Sequence, residues 1–209
     1  MQKNVLSVAQ SQIGVKESPA NSNNVKYNTW YYGHKVSGAD YPWCAVFIAW
    51  CFNQVGILSN IGGVENKAYC PSYVAWARKN GRWDRKASKG ALVLFDWNGD
   101  GIADHIGIVE SVKDSQTIVT IEGNTGVGND SNGGQVMRRT RKMSSVLGFV
   151  HVTIYEPTKT NTKAPSPVGT ATVYVYGSHG TGATERWAVD PEKTVWVPKK
   201  YCKNYKKRG

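Results

Sequence analysis

The sequence predicts an α+β fold, with helices in the first half packed on an antiparallel β-sheet drawn from the second half and a short basic C-terminal extension. Three observations predict it. The run Tyr41 to Phe52 is apolar too continuously for a surface helix and reads as a buried one. From Ala91 onward the apolar period changes to two, with Gly/Asn/Asp turns between the runs. From Glu156 to about Ala171 the composition turns to Thr, Lys, Pro, Ser and Asn, which is linker chemistry.

The elements follow in order. Val5, Leu6, Val8, Ala9, Gln12 and Ile13 fall at helical spacing with Gly14 as the stop, so the chain opens on an amphipathic helix flanking the buried one. Pro19 to Tyr41 has no periodicity and reads as loop. Pro42 stands where a helix tolerates proline, placing the buried helix start at about Trp43. Asn53 to Gly63 reads as loop, and Pro71 marks the early turn of a helix to about Lys79, stopped by Gly81. Strands are predicted at Ala91–Phe95, His105–Val112, Thr117–Ile121, Gln135–Arg141 and Leu147–Tyr155, and the glycine-rich turn 126–134 is predicted to be mobile. The domain reading is 1–155 catalytic, 156–171 linker and 172–209 a short basic segment, β-like at Val173–Tyr176 and Thr194–Val197.

Charge and cysteine content narrow the function classes. The net charge is +11; residues 1–155 carry 16 basic against 11 acidic side chains, and residues 156–209 carry ten against four. Such a tail attracts polyanions, but no nucleic-acid reading motif accompanies it, so nucleic acid is not an expected partner. No stretch approaches the about 18 apolar residues of a membrane span, and the N-terminus runs into a helix rather than a signal peptide. The four cysteines, Cys44, Cys51, Cys70 and Cys202, show no zinc-binding spacing, and Cys51, seven positions after Cys44, reads as packing.

Candidate chemistry centres on Cys44. At a helix start the unpaired amides and the dipole stabilise a thiolate, which suits a nucleophile; a small packed core residue is the equal alternative from this segment alone. Asp104-His105-Ile106-Gly107 places a histidine at the head of an apolar run, and Glu122-Gly123-Asn124 ends the next one. These supply a base, His105, and a group to orient it, Glu122 with Asn124 beside it. His34, His151 and His179 lie in loops or mid-strand and are weaker bases. Tyr27, Trp30, Tyr31 and Tyr32, with Tyr41 and Trp43 beside the cysteine, are candidates for a substrate groove or for cover over the core. Asp96, Asn98, Asp100 and Asp104, with Gly101 sixth, follow a calcium-loop spacing, although Gly107 stands where the bidentate acid belongs; a self-capped turn is the alternative.

The blocks Pro42-Trp43-Cys44-Ala45, Gly90 to Phe95, Asp104 to Val109 and Glu122-Gly123-Asn124, in this order, resemble the CHAP family of papain-like peptidoglycan amidases and endopeptidases. The opening, Ala9 to Ser18 with Lys26-Tyr27 and Trp30 to Gly33, resembles CHAP endolysins of phages of Gram-positive bacteria, over roughly residues 1–155. The resemblance implies a papain-like fold and a Cys-His-Glu/Asn hydrolase of the cell-wall peptide, in first place an N-acetylmuramoyl-L-alanine amidase acting as an endolysin. A cross-bridge or D-alanyl endopeptidase, or a non-catalytic wall-binding or virion module, is the alternative. It implies peptidoglycan as partner, teichoic acids for the basic tail, and host cytoplasm before release, or secretion, as location. No cofactor is required on this reading and calcium is optional; the acids by which some relatives bind calcium upstream of the cysteine are missing from Lys35 to Ala39.

Overall fold

The computed structural model describes residues 4–130 and 132–155 in full and, beyond them, the backbone of five short strands. The chain divides into two compact units, Met1–Thr158 and Lys159–Gly209.

The first unit opens with α1 (Val5–Ser11), started by a reciprocal cap in which Ser7 N–H donates to Asn4 Oδ1 at 2.9 Å and Asn4 N–H to Ser7 Oγ at 3.0 Å. Gln12 rather than Gly14 caps its end, and Ile13 is exposed. A helix the sequence reading missed follows: α2 (Lys26–Tyr32) lies inside the segment read as loop. Its N-cap, Val25, has no capping side chain, and its first turn has no acid, so its ends carry little signal. Tertiary packing makes it. Tyr27 is fully buried against Phe47 and Trp50, and Asn28 Nδ2 donates to the carbonyls of Asn23 and Tyr41 at 2.8 Å each, fixing the approach to Pro42.

The central helix α3 (Cys44–Val55) starts one residue later than predicted and buries nine of its twelve residues. Each fully buried Phe or Ile there is worth about 1.5–3 kcal/mol, so packing rather than helix propensity holds it. The predicted loop after it is shorter: the helix runs to Val55, and a 3₁₀ turn occupies Leu58–Ile61. Helix α4 (Cys70–Lys79) starts one residue before Pro71.

Six strands, β1 (Trp83–Asp84), β2 (Leu92–Phe95), β3 (His105–Asp114), β4 (Thr117–Thr125), β5 (Gln135–Lys142) and β6 (Val146–Val150), form one antiparallel sheet in the order β1-β6-β2-β3-β4-β5. Strand β1 was not foreseen, being two residues long. The last strand stops at Val150 rather than Tyr155, so His151 lies beyond it, with Nε2 2.8 Å from Asp84 Oδ1. Alternate residues of the sheet face two clusters: Leu92, Leu94, Ile106, Ile108 and Ile121 join the helices, while Val93, Phe95, Val109, Ile118 and Phe149 form the other layer. Helix α3 packs on β3 and β4, flanked by α1 and α2.

The second unit contributes β7 (Val173–Val175), β8 (Gly177–His179), β9 (Arg186–Ala188), β10 (Trp196–Pro198) and β11 (Tyr205–Lys207). The sheets are an antiparallel β10-β9-β8 and a parallel β11-β7 pair. Strand β8 includes His179, where the sequence predicts a loop. The predicted linker falls outside the described residues, as do Lys199, Lys200, Lys203 and Arg208 of the basic segment, while Lys206 and Lys207 lie on β11.

Candidate active site

Two close approaches bring the start of α3 to the start of β3. A methyl group at Gly123 of β4 would stand 2.7 Å from the Cβ and Cγ of Phe47, so only glycine lets α3 lie this near the strand. Gly107, opposite Glu122 across the ladder, is equally constrained: a Cβ there would meet Glu122 Cγ at 2.7 Å. The Glu122 side chain thus crosses β3 to reach His105, which opens the strand opposite Phe95.

His105 Nε2 lies 3.1 Å from Glu122 Oε2, both residues fully buried. The other ring nitrogen, Nδ1, has no hydrogen-bond partner. Burial pulls the imidazole pKa down, but the Cys44 thiolate and the Glu122 carboxylate outweigh it and raise it to about 9. Cys44 is held well below the usual thiol range, first by a hydrogen bond with Cys70 and then by His105 and the Ala45 backbone amide, all against burial. The hydrogen bond with Cys44 and then burial push the Cys70 thiol up, so of the two sulfurs Cys44 is the one that ionises first.

The buried carboxylate has its own clamp. Arg141 Nε donates to Glu122 Oε1 at 2.8 Å and Nη2 to Oε2 at 2.5 Å, and Thr120 Oγ1 donates to Oε1 at 2.5 Å. Burial pushes the Glu122 pKa up; Arg141 and His105 win and hold it at about 2. Arg141 lies opposite Ile118, with its guanidinium 4.9 Å from the centre of the Trp97 ring. Trp97 stacks on Phe95 at 4.8 Å and lies 6.0 Å from the His105 ring. The glycine-rich turn is tied to this clamp: Asp130 accepts from Arg139 at 2.5 Å and pairs with Arg141 at 2.7 Å.

The remaining sequence candidates separate. Asn124 is buried but holds the turn: its φ is +55°, its carbonyl accepts from Gly133 and its Oδ1 from Gly134 at 3.4 Å. It makes no hydrogen bond to His105 among the described residues. Trp30, Tyr31 and Tyr41 are half-buried and belong to a chain of ring contacts, Trp30–Tyr31–Tyr32–Tyr41, with successive centroids 6.2, 5.0 and 5.1 Å apart. Trp43 is a correction. It is fully buried with Nε1 donating to Glu17 Oε1 at 2.8 Å, so its ring presents no face to a substrate and instead pins the N-terminal loop to the start of α3. Cys51 is fully buried and its thiol is raised by desolvation, as packing requires.

The loop from Asp96 to Asp104 closes on itself. Asp96 accepts from Gly99 N–H at 2.7 Å and Gly101 N–H at 2.9 Å, Asn98 from Asp100 N–H at 3.2 Å, Asp100 from Ile102 N–H at 2.8 Å, and Asp104 from Trp97 N–H at 2.7 Å. Among the described residues no group of three or more His, Cys, Asp or Glu is arranged to hold a metal ion. The oxygens counted as calcium ligands serve the turn, and one of its products is the position of Trp97, stacked on Phe95.

Two participants escaped the sequence reading. Cys70 opens α4 with its Sγ 3.6 Å from that of Cys44, and a readable signal existed: Cys70-Pro71 repeats a cysteine in the first turn of a proline-marked helix. Arg141 had none, because its partner is set by the pairing of β4 with β5.

Comparison with known proteins shows what the chain is similar to. Residues 36–124 match the CHAP domain family model. A search of curated proteins gave no match. Among solved structures, the chain is similar to Ly7917 crystallised with the hydrolyzing product of MDP, at 13% identity, TM-score 0.42, and 72% coverage of this chain and 62% of that one. It is also similar to the wild-type endolysin LysIME-EF1, at 13% identity, TM-score 0.42, and 90% and 79% coverage. The chain therefore spans about three-fifths of the length of Ly7917. The segment that matches the CHAP domain model contains Cys44, Cys70, His105, Glu122 and Asn124.

Proposed function

We propose that this chain is a peptidoglycan hydrolase that opens an amide bond of the cell-wall peptide with Cys44 as nucleophile. The observation that supports this most is the buried Cys44–His105–Glu122 array, with Glu122 3.1 Å from His105, the Cys44 thiol held low and the His105 imidazole raised. A charge arrangement of this kind is costly to bury and has a chemical use.

In the proposed reaction the Cys44 thiolate attacks the amide carbonyl carbon, and the carbonyl electron pair moves to oxygen, where the Cys44 backbone N–H at the start of α3 supports the oxyanion. Collapse of this intermediate breaks the C–N bond while His105 gives its proton to the leaving amine. Nδ1 is the nitrogen for this transfer, because Nε2 is engaged with Glu122. His105 then takes a proton from water, whose oxygen attacks the thioester and releases the acid and the thiolate. Glu122 fixes the ring and stabilises the imidazolium, and Arg141 fixes Glu122. Trp30, Tyr31 and Tyr41 form the wall on which stem peptide or sugar packs.

The finer assignment, N-acetylmuramoyl-L-alanine amidase in the role of an endolysin, rests on the family resemblance. Mass spectrometry of fragments released from purified peptidoglycan tests it. Stem peptides with a free N-terminal alanine and glycan freed of peptide are expected. New amino termini inside the stem or cross-bridge would replace the amidase by an endopeptidase, and intact peptidoglycan would remove the hydrolase. No step uses a metal. If the 96–104 loop does take calcium, chelator lowers the melting temperature and rate together. The basic residues beyond 156 are assigned to polyanionic teichoic acid, so retention of the whole chain on intact walls should fall as salt shortens the Debye length from about 10 Å at 0.1 M to about 3 Å at 1 M.

A further inference from the structure

Cys70 has no step in the proposed reaction, yet its sulfur is in contact with that of the nucleophile. The two Sγ atoms are 3.6 Å apart across 26 positions of sequence, each at the first residue of its own helix, α3 or α4, and each only 5% exposed. Neither is in a disulfide. A disulfide bond of about 2.05 Å is within the reach of side-chain rotation from such a contact. Tyr73, three residues into α4, donates its hydroxyl to the Ala45 carbonyl at 3.3 Å and so braces the two helix starts against each other.

We propose that Cys44 and Cys70 are a reversible oxidation site, at which a hydroperoxide converts the two thiols to a disulfide and silences the enzyme. This rests on the reading of Cys44 as nucleophile. A pocket that admits a scissile amide to Cys44 also admits a small hydroperoxide. The Cys44 thiolate attacks the terminal peroxide oxygen; the O–O bond breaks, the alkoxide or hydroxide leaves and takes up a proton, and Cys44 becomes a sulfenic acid. The Cys70 sulfur then attacks the Cys44 sulfur, loses its proton and expels water. The sum is two thiols and one hydroperoxide giving one disulfide, one alcohol or water, and one further water. Cys51 is fully buried within α3 and shows no contact with either sulfur, so it is not a rival partner. The outcome for Cys44 is protective: as a disulfide it escapes further oxidation to the sulfinic acid, which thiols do not reverse.

The test treats the full wild-type chain with a few equivalents of hydrogen peroxide, quenches with a thiol-blocking reagent, and maps the digest by mass spectrometry. A cross-linked pair of peptides holding Cys44 and Cys70, two hydrogens lighter than their sum, is expected, with wall lysis at least tenfold lower and restored by dithiothreitol. In Cys70→Ser, peroxide should still abolish lysis but dithiothreitol should not restore it. Absence of the Cys44–Cys70 cross-link, whether Cys44 ends as sulfinic acid or joined to Cys202, overturns the proposal whatever happens to lysis. A complete cross-link with undiminished lysis instead overturns the nucleophile reading, and with it the silencing. The double variant Cys51→Ala/Cys202→Ser, keeping only the two thiols at issue, should lose both on oxidation.

Discussion

Arg141 grips both oxygens of Glu122 at 2.8 and 2.5 Å, inside a site where the carboxylate has no exposure at all. The fork does two things for His105. It keeps Glu122 ionised and it leaves the carboxylate one position in which to meet Nε2.

Removing the guanidinium strands a buried charge. Arg141→Gln should lower unfolding free energy by about 3–5 kcal/mol, measured by denaturant titration, and reduce the lytic rate of the folded fraction at least tenfold. Arg141→Lys keeps the charge without the fork and should recover part of the stability with less of the rate. Losses under about 1 kcal/mol in the glutamine variant would mean that Glu122 does not depend on this partner.

The pH dependence follows from His105. Its folded pKa of about 9 lies above the free value of 6.5, so the protonated form needed by the leaving amine is present at neutral pH and is lost as pH rises through about 9. Cleavage of a soluble muropeptide should fall on the alkaline side near pH 9, and Glu122→Gln should move that limb downward. A wild-type limb near 6.5 would contradict the pairing. Glu122 gives the opposite sign. Its pKa is depressed from 4.5 to about 2, so its stabilisation is complete above about 4.5 and disappears as pH falls toward 2, on the order of 3 kcal/mol measured by unfolding at pH 6 and near pH 2.

At Gly123 the test is steric. Gly123→Ala places a methyl group 2.7 Å from Phe47 carbons and should lower stability by about 1–3 kcal/mol by pushing α3 off β4. Because Cys44 rides on that helix, the rate should fall as well; Phe47→Leu in the same chain should return part of both. A fully stable and active Gly123→Ala protein would show that the helix can shift without moving the nucleophile.

Much of this arrangement was legible in the sequence because it rests on local patterns. The apolar run after Pro42 marked α3, period-two alternation marked β2 to β5, and the chemistry of Cys44, His105 and Glu122 lay at the ends of those runs. What escaped depends on packing between distant segments. Helix α2 is stabilised by Tyr27 and Asn28 inserting beside α3 rather than by caps, and Trp43 is withdrawn from the surface by Glu17, 26 positions away. Arg141 is placed by a strand register that no spacing announces. The Asp96–Asp104 pattern shows the converse: residue types that match a metal loop also close a turn, and the turn's hydrogen bonds account for them.

The most direct measurement is the rate of turbidity loss of purified cell walls for wild type, Cys44→Ala and Cys51→Ala side by side, with folding of each checked by circular dichroism. Cys44→Ala should fall by about three orders of magnitude or to background, since members of a catalytic unit fail together, while Cys51→Ala stays within a few-fold of wild type. Lysis by folded Cys44→Ala at a rate near that of wild type would contradict the assignment of Cys44 as nucleophile.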